Sequence, residues 1–159
     1  MSEQTVVSSL SKQLTDYWGL GNPNGDGVGP QFRIFTQATI SRVAFRMMKV
    51  DSPTGSFVAR LYTSNGNFAS PDAYADTLIA ESTNTVDVVN LSSSYGNVDF
   101  YFDDVILAAG VYFLVVFSSS INSDDGYIRM AETDDAGSQF GYMTLWDAEG
   151  GRWQPWSWD

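Results

Sequence analysis

The chain has 159 residues, 43% of them apolar and 14% aromatic, enough for one well-buried domain and too few for two of ordinary size. Nineteen acids against eight bases give a net charge of −11, and between Leu61 and Ile128 nine carboxylates occur with no lysine or arginine, which excludes nucleic-acid binding by phosphate neutralisation. Histidine and cysteine are both absent, so disulfides and the commonest acid–base and thiol chemistries are excluded too.

In chain order, residues 1–29 read as an arm and hinge, and residues 30–159 as the folded domain. Met1 is followed by Ser2, Glu3 and Gln4, with neither a basic nor an apolar leader region, so synthesis in a cytoplasm is expected. No apolar run is long enough to span a membrane. Val7, Leu10, Leu14 and Tyr17 are spaced three, four and three apart, the spacing of an apolar stripe on a short helix. With Trp18 they are the expected contacts to a neighbouring subunit; the other reading is a short helix or extended segment packing on its own domain. Gly19 to Pro30 is almost all Gly, Asn, Asp and Pro and reads as a hinge. Within it, Asn22-Pro23-Asn24-Gly25-Asp26-Gly27 half-matches a calcium loop but fails on ligands, because Asn22 stands first and Arg33 twelfth.

Strand-like runs follow over 31–37, 39–50, 56–63, 77–82, 86–91, 97–107, 111–119, 126–131, 141–146 and 152–158. Val43, Phe45 and Met47 alternate with Arg42, Ala44 and Arg46, and Val98, Phe100 and Phe102 alternate with Asp99, Tyr101 and Asp103, the period of a half-buried strand. Asp51-Ser52-Pro53-Thr54-Gly55 reads as a turn and Asp103-Asp104 as an exposed bend. Val111 to Phe117 is apolar on both faces, which predicts a central strand covered on each side. Many short strands with regular turns predict an all-β antiparallel sandwich.

The run Ile40-Ser41-Arg42-Val43-Ala44-Phe45 leading to Lys49-Val50-Asp51-Ser52-Pro53-Thr54-Gly55, and then Val105 to Val115, resembles the jelly-roll modules of phage virion proteins and bacterial surface proteins, which are similar in build to carbohydrate-binding modules. Gly141-Tyr142, Glu149-Gly150-Gly151 and Trp153 match the pattern near its end. The resemblance covers roughly Gln31 to Trp153. It implies a jelly-roll sandwich serving as a non-enzymatic accessory protein of a phage particle assembled in the host cytoplasm, a capsid decoration or fibre component held by its N-terminal arm to other virion proteins or to copies of itself. The alternative it implies is an adhesion or carbohydrate-binding module at a cell surface.

Four of the five tryptophans, Trp146, Trp153, Trp156 and Trp158, fall in the last fourteen residues. Trp146 and Trp153 are expected to fill the sandwich or close one end of it. Trp156 and Trp158 point the same way along one strand, which Pro155 marks as an edge, and with Trp146 they are the candidate contacts for a glycan or a subunit. Asp124-Asp125-Gly126 and Asp134-Asp135 read as solvated turn acids, with Asp124 and Asp125 the positions at which a sandwich calcium ion would sit. No cofactor is otherwise expected. Glu81, Asp99, Asp103 and Glu132 are acids near strands, and nothing in their spacing marks a catalytic pair, so the chain is not expected to be an enzyme.

Overall fold

A computed structural model of the chain describes residues 16–20, 26–118, 121, 126–132, 140–147 and 151–155. These form strands β1 (Asp16–Leu20), β2 (Asp26–Ile34), β3 (Ala38–Asp51), β4 (Ser56–Ser64), β5 (Ala75–Glu81), β6 (Val86–Asp87), β7 (Gly96–Leu107), β8 (Gly110–Ser118), β9 (Gly126–Glu132), β10 (Phe140–Asp147) and β11 (Arg152–Pro155). Their one helical element is a 3-10 turn at Val88–Asn90. The chain is therefore all-β. All strand pairs are antiparallel, and they build a four-stranded sheet in the order β1-β9-β3-β7 and a seven-stranded sheet in the order β11-β10-β2-β8-β4-β5, with β6 on β4.

The two sheets pack face to face through the alternating residues that the sequence singles out. Phe45, Met47, Phe100 and Phe102 point inward, joined by Ile128 and Met130 from β9 and met by Phe57, Ala59, Leu61, Val28 and Phe32 from the larger sheet. Phe100 sits at the centre, its ring 5.9 Å from that of Phe45 on its own sheet and 5.7 Å from that of Phe57 on the facing one. Burial of one such side chain stabilises the fold by about 1.5–3 kcal/mol. On the outer face of the small sheet Arg42, Ala44, Arg46, Tyr101 and Asp103 are exposed, as the alternation requires.

Asp103 and Asp104 form the expected exposed bend. The register of β3 against β7 slips between Ile40/Val105 and Arg42/Tyr101, so β7 carries two extra residues there, and Asp104 takes φ 39. Before this bulge the inward residues of β7 are even-numbered, and after it Leu107 is the buried one.

Two expectations differ from the structure. Tyr17 lies in strand β1, paired with Ala131 of β9, and not on a helical stripe. The stretch 86–91, expected as one strand, is the two-residue β6 followed by the 3-10 turn, which buries Val88 completely. The segment expected as arm and hinge also contributes β1 and the first residues of β2, a strand that lies between β10 and β8.

One side of the sandwich is closed by the connection from β5 to β6. Ser82 continues the pairing with Ala59 of β4, with Ser82 N–H donating to the Ala59 carbonyl at 2.8 Å and Ala59 N–H to Ser82 Oγ at 3.1 Å. Thr83 N–H then donates to the Tyr101 carbonyl on β7 at 2.8 Å. The amide of Asn84 both donates to the Asp99 carbonyl and accepts from Tyr101 N–H, at 3.0 and 2.8 Å, occupying the β7 edge as a neighbouring strand would.

Candidate binding cleft at the seam of a curled sheet

The large sheet has a second apolar cluster on its other face. Along β8, Leu114 and Val116 face the inter-sheet core, whereas Phe113 and Val115 are buried on the opposite side with Tyr62, Ala73, Ala75 and Trp153. The central strand is thus covered on both faces, as its continuous apolar run requires.

What covers the outer face is the sheet itself. The outward positions of β2 are Gly27, Gly29 and Gln31. A Cβ on Gly29 would fall 2.1 Å from the Leu114 carbonyl oxygen, and a Cβ on Gly27 would fall 2.7 Å from Cη2 of Trp153. Only glycine permits that approach of β2 to β8 and leaves room for the indole, and glycines inside a strand mark such a bend. The sheet curls here until its last strand, β11, lies alongside its first, β5. Trp153 is carried over the face, with its ring 5.2 Å from Tyr62, 5.4 Å from Trp146 and 6.2 Å from Phe117, in edge-on or tilted contacts. Arg60 caps Phe117, its guanidinium 3.9 Å from the ring centroid and its Nε 2.7 Å from Glu81.

The loop between β4 and β5 is fastened onto the same face. Gln31 is fully buried; its Nε2 donates to Ser64 Oγ at 3.0 Å and the Asn67 carbonyl at 3.1 Å, and its Oε1 accepts from Ala69 N–H at 2.7 Å. The Arg33 guanidinium lies 4.5 Å from the ring centroids of both Phe68 and Phe35. Tyr74 N–H donates to Asn65 Oδ1 at 2.7 Å, and Asn65 N–H to the Tyr74 carbonyl at 3.2 Å, fixing the loop where it enters β5.

Where the sheet ends meet, a cleft of about 550 Å³ opens. Tyr74, Ala75 and Asp76 form one wall, Gly151 to Pro155 the other, and Trp146 and Trp153 lie between them. Trp153 is nearly buried at 7% exposure and serves as floor. Trp146, Tyr74 and Pro155 are half-buried, while Asp76, Arg152 and Gln154 are exposed on the rim. The cleft joins apolar surface to hydrogen-bonding groups of both kinds.

Of the residues expected at a site, Trp146 lines this cleft, and β11 is the edge strand that Pro155 suggests. Tyr17 and Trp18 lie on β1, at the far edge of the other sheet. Val7, Leu10, Leu14, Trp156, Trp158, Asp124 and Asp125 lie outside the described residues, and no group of three or more potential metal ligands occurs among the described ones. Glu81 is engaged with Arg60, and Asp99 stands 3.6 Å from Arg42. Tyr74, Asp76, Arg152 and Gln154 carried no signal in the sequence, since the curl that brings 74–76 to 151–155 is a property of the whole sheet. Comparison of the chain with protein-family models, with curated proteins and with solved structures finds no match.

Proposed function

We propose that this chain works by holding other molecules and not by turning over a substrate. It is a non-enzymatic accessory component of a phage particle, on the head or a fibre, attached through its N-terminal segment to other virion proteins or to copies of itself. The observation that carries a binding role is the seam cleft, a depression floored by aromatic rings in which Asp76 is the one carboxylate among the described lining residues. Hydrolysis of a glycoside by paired acids needs a second carboxylate across the bond.

The particle setting rests on the resemblance to jelly-roll virion modules, and the strand order supports that type. β1 pairs with β9, β2 with β8, β3 with β7 and β4 with β5, the nested pattern of one long hairpin rolled into two sheets. β1 is also the outermost strand of its sheet, so the chain enters the sandwich at a rim, where a preceding segment can reach a neighbour. The test is a chain starting at Asp16, assayed for co-sedimentation with particles. The reading expects a folded protein that no longer joins them; normal incorporation of the truncated chain overturns attachment through the N-terminal segment.

A second reading, a carbohydrate-binding module, is favoured by Trp146 and Trp153 in the cleft. It is compatible with a particle component that adheres to a host surface.

A further inference from the structure

We propose that the seam cleft is a saccharide site that takes a neutral glycan. The inference rests on reading the chain as a binding module, and it assigns the ligand class and the roles of residues at that site.

A sugar ring has one face of C–H groups and a rim of hydroxyls, and the cleft offers the complement of both. Trp146, Tyr74 and Pro155 keep part of their apolar surface open to the cleft, above the floor made by Trp153. The electron-rich face of an aromatic ring attracts the polarised C–H groups of a pyranose while removing apolar area from water. Around that surface the rim carries an acceptor-only carboxylate, Asp76, a donor-only guanidinium, Arg152, and an amide able to do both, Gln154. Neighbouring hydroxyls, each donor and acceptor at once, are what such a mixed rim pairs with. An aliphatic chain in the same place would strip water from Asp76 and Arg152 and return no hydrogen bond.

Charge selects within the saccharides. The chain bears a net −11, and on the rim Asp76 offsets the charge of Arg152, so sulfated, sialylated or uronic-acid glycans meet the repulsion of the whole chain with no surplus of positive charge at the site. A neutral glycan does not. The walls are also set in advance. Tyr74 is tied to Asn65 by hydrogen bonds in both directions, and Trp146 is wedged against the rings of Phe117 and Trp153 at 5.6 and 5.4 Å. The backbone that carries Tyr74 is thus fixed, and the packed Trp146 ring has little freedom left to lose on binding, which matters for ligands whose individual contacts are weak.

The experiment uses the full chain on an array of neutral and anionic glycans, followed by calorimetric titration of the retained glycans with wild type, Asp76→Ala and Trp146→Phe. The inference expects saturable binding of neutral glycans only. Each substitution should weaken it at least about tenfold, the loss of one charge-assisted hydrogen bond or of part of the stacking surface. Asp76→Ala alters an exposed side chain and keeps the test valid should Trp146→Phe fail to fold. Retention of no neutral glycan, preference for anionic ones, or undiminished binding by a folded Asp76→Ala protein overturns the inference. A wild-type chain that joins particles yet retains no neutral glycan overturns the saccharide assignment and leaves the accessory reading standing. One that binds neutral glycans through the cleft but never joins a particle supports the assignment and overturns the accessory reading.

Discussion

The indole of Trp153 occupies the space in which a side chain at position 27 would stand, with its Cη2 atom 2.7 Å from the Cβ that Gly27 lacks. Strand β2 and the C-terminal strand β11 are therefore fitted to each other across the curled face. Gly27→Ala should push the ring outward and cost about 1–3 kcal/mol of stability, the usual penalty of overpacking. Urea unfolding and a red shift of tryptophan emission would register it. Gly29→Ala should be worse, because its Cβ would meet the backbone of Leu114, which has no free rotor to move aside; the expected outcome is insoluble protein.

Gln31 fastens the 65–70 loop to the end of β4 from a fully buried amide, with hydrogen bonds to Asn67 and Ala69 of the loop and to Ser64 of the strand. Gln31→Leu keeps the bulk but leaves Ala69 N–H without an acceptor inside the fold, so a loss of about 1–3 kcal/mol is expected. Hydrogen exchange gives the specific readout. The Ala69 amide should lose its protection while amides in β3 and β7 keep theirs.

Asn84 occupies the edge of β7 with its side-chain amide. Asn84→Ala should cost about 1 kcal/mol for the hydrogen bonds it removes. Its more telling consequence is at the exposed edge: with Tyr101 N–H and the Asp99 carbonyl unpaired, β7 becomes a template for another strand. Light scattering should show self-association that grows with concentration in the variant and not in the wild type.

Arg60 touches two partners of unequal worth. Its pairing with Glu81 lies near the surface, where an ion pair contributes about 0–1 kcal/mol, so Glu81→Ala should change stability little. Arg60→Ala also uncovers the ring of Phe117 and should cost clearly more, because the guanidinium and its aliphatic stem cover that ring. Thermal unfolding of the two variants side by side decides it. Equal destabilisation would mean that the ion pair, and not the stacking, carries Arg60.

The alternation in β3 and β7 was legible from residue types alone, since inward Phe45, Met47, Phe100 and Phe102 follow a period of two that any half-buried strand imposes. The two-faced burial of Val111 to Phe117 was legible for the same reason. Gly27, Gly29 and Pro30 misled, because local chemistry marks such residues as loop, whereas here the glycines let a strand approach its neighbour closely beneath Trp153. Their reason is tertiary. The cleft was half legible. Trp153 packs as expected of it and Trp146 lines the cleft, but the rim residue Asp76 reaches the site through a curl that joins β5 to β11, which no local pattern announces.

Central to this account is a cleft between the two ends of one sheet, with Trp146 and Trp153 at its base, that receives a ligand. The most direct measurement is a titration of 15N-labelled protein with the neutral glycan best retained on the array, following the indole N–H resonances. The account predicts that the Trp146 and Trp153 signals move together and saturate at the calorimetric affinity, along with the backbone amides of Tyr74 and Asp76. Saturable binding that leaves all four unmoved would contradict it.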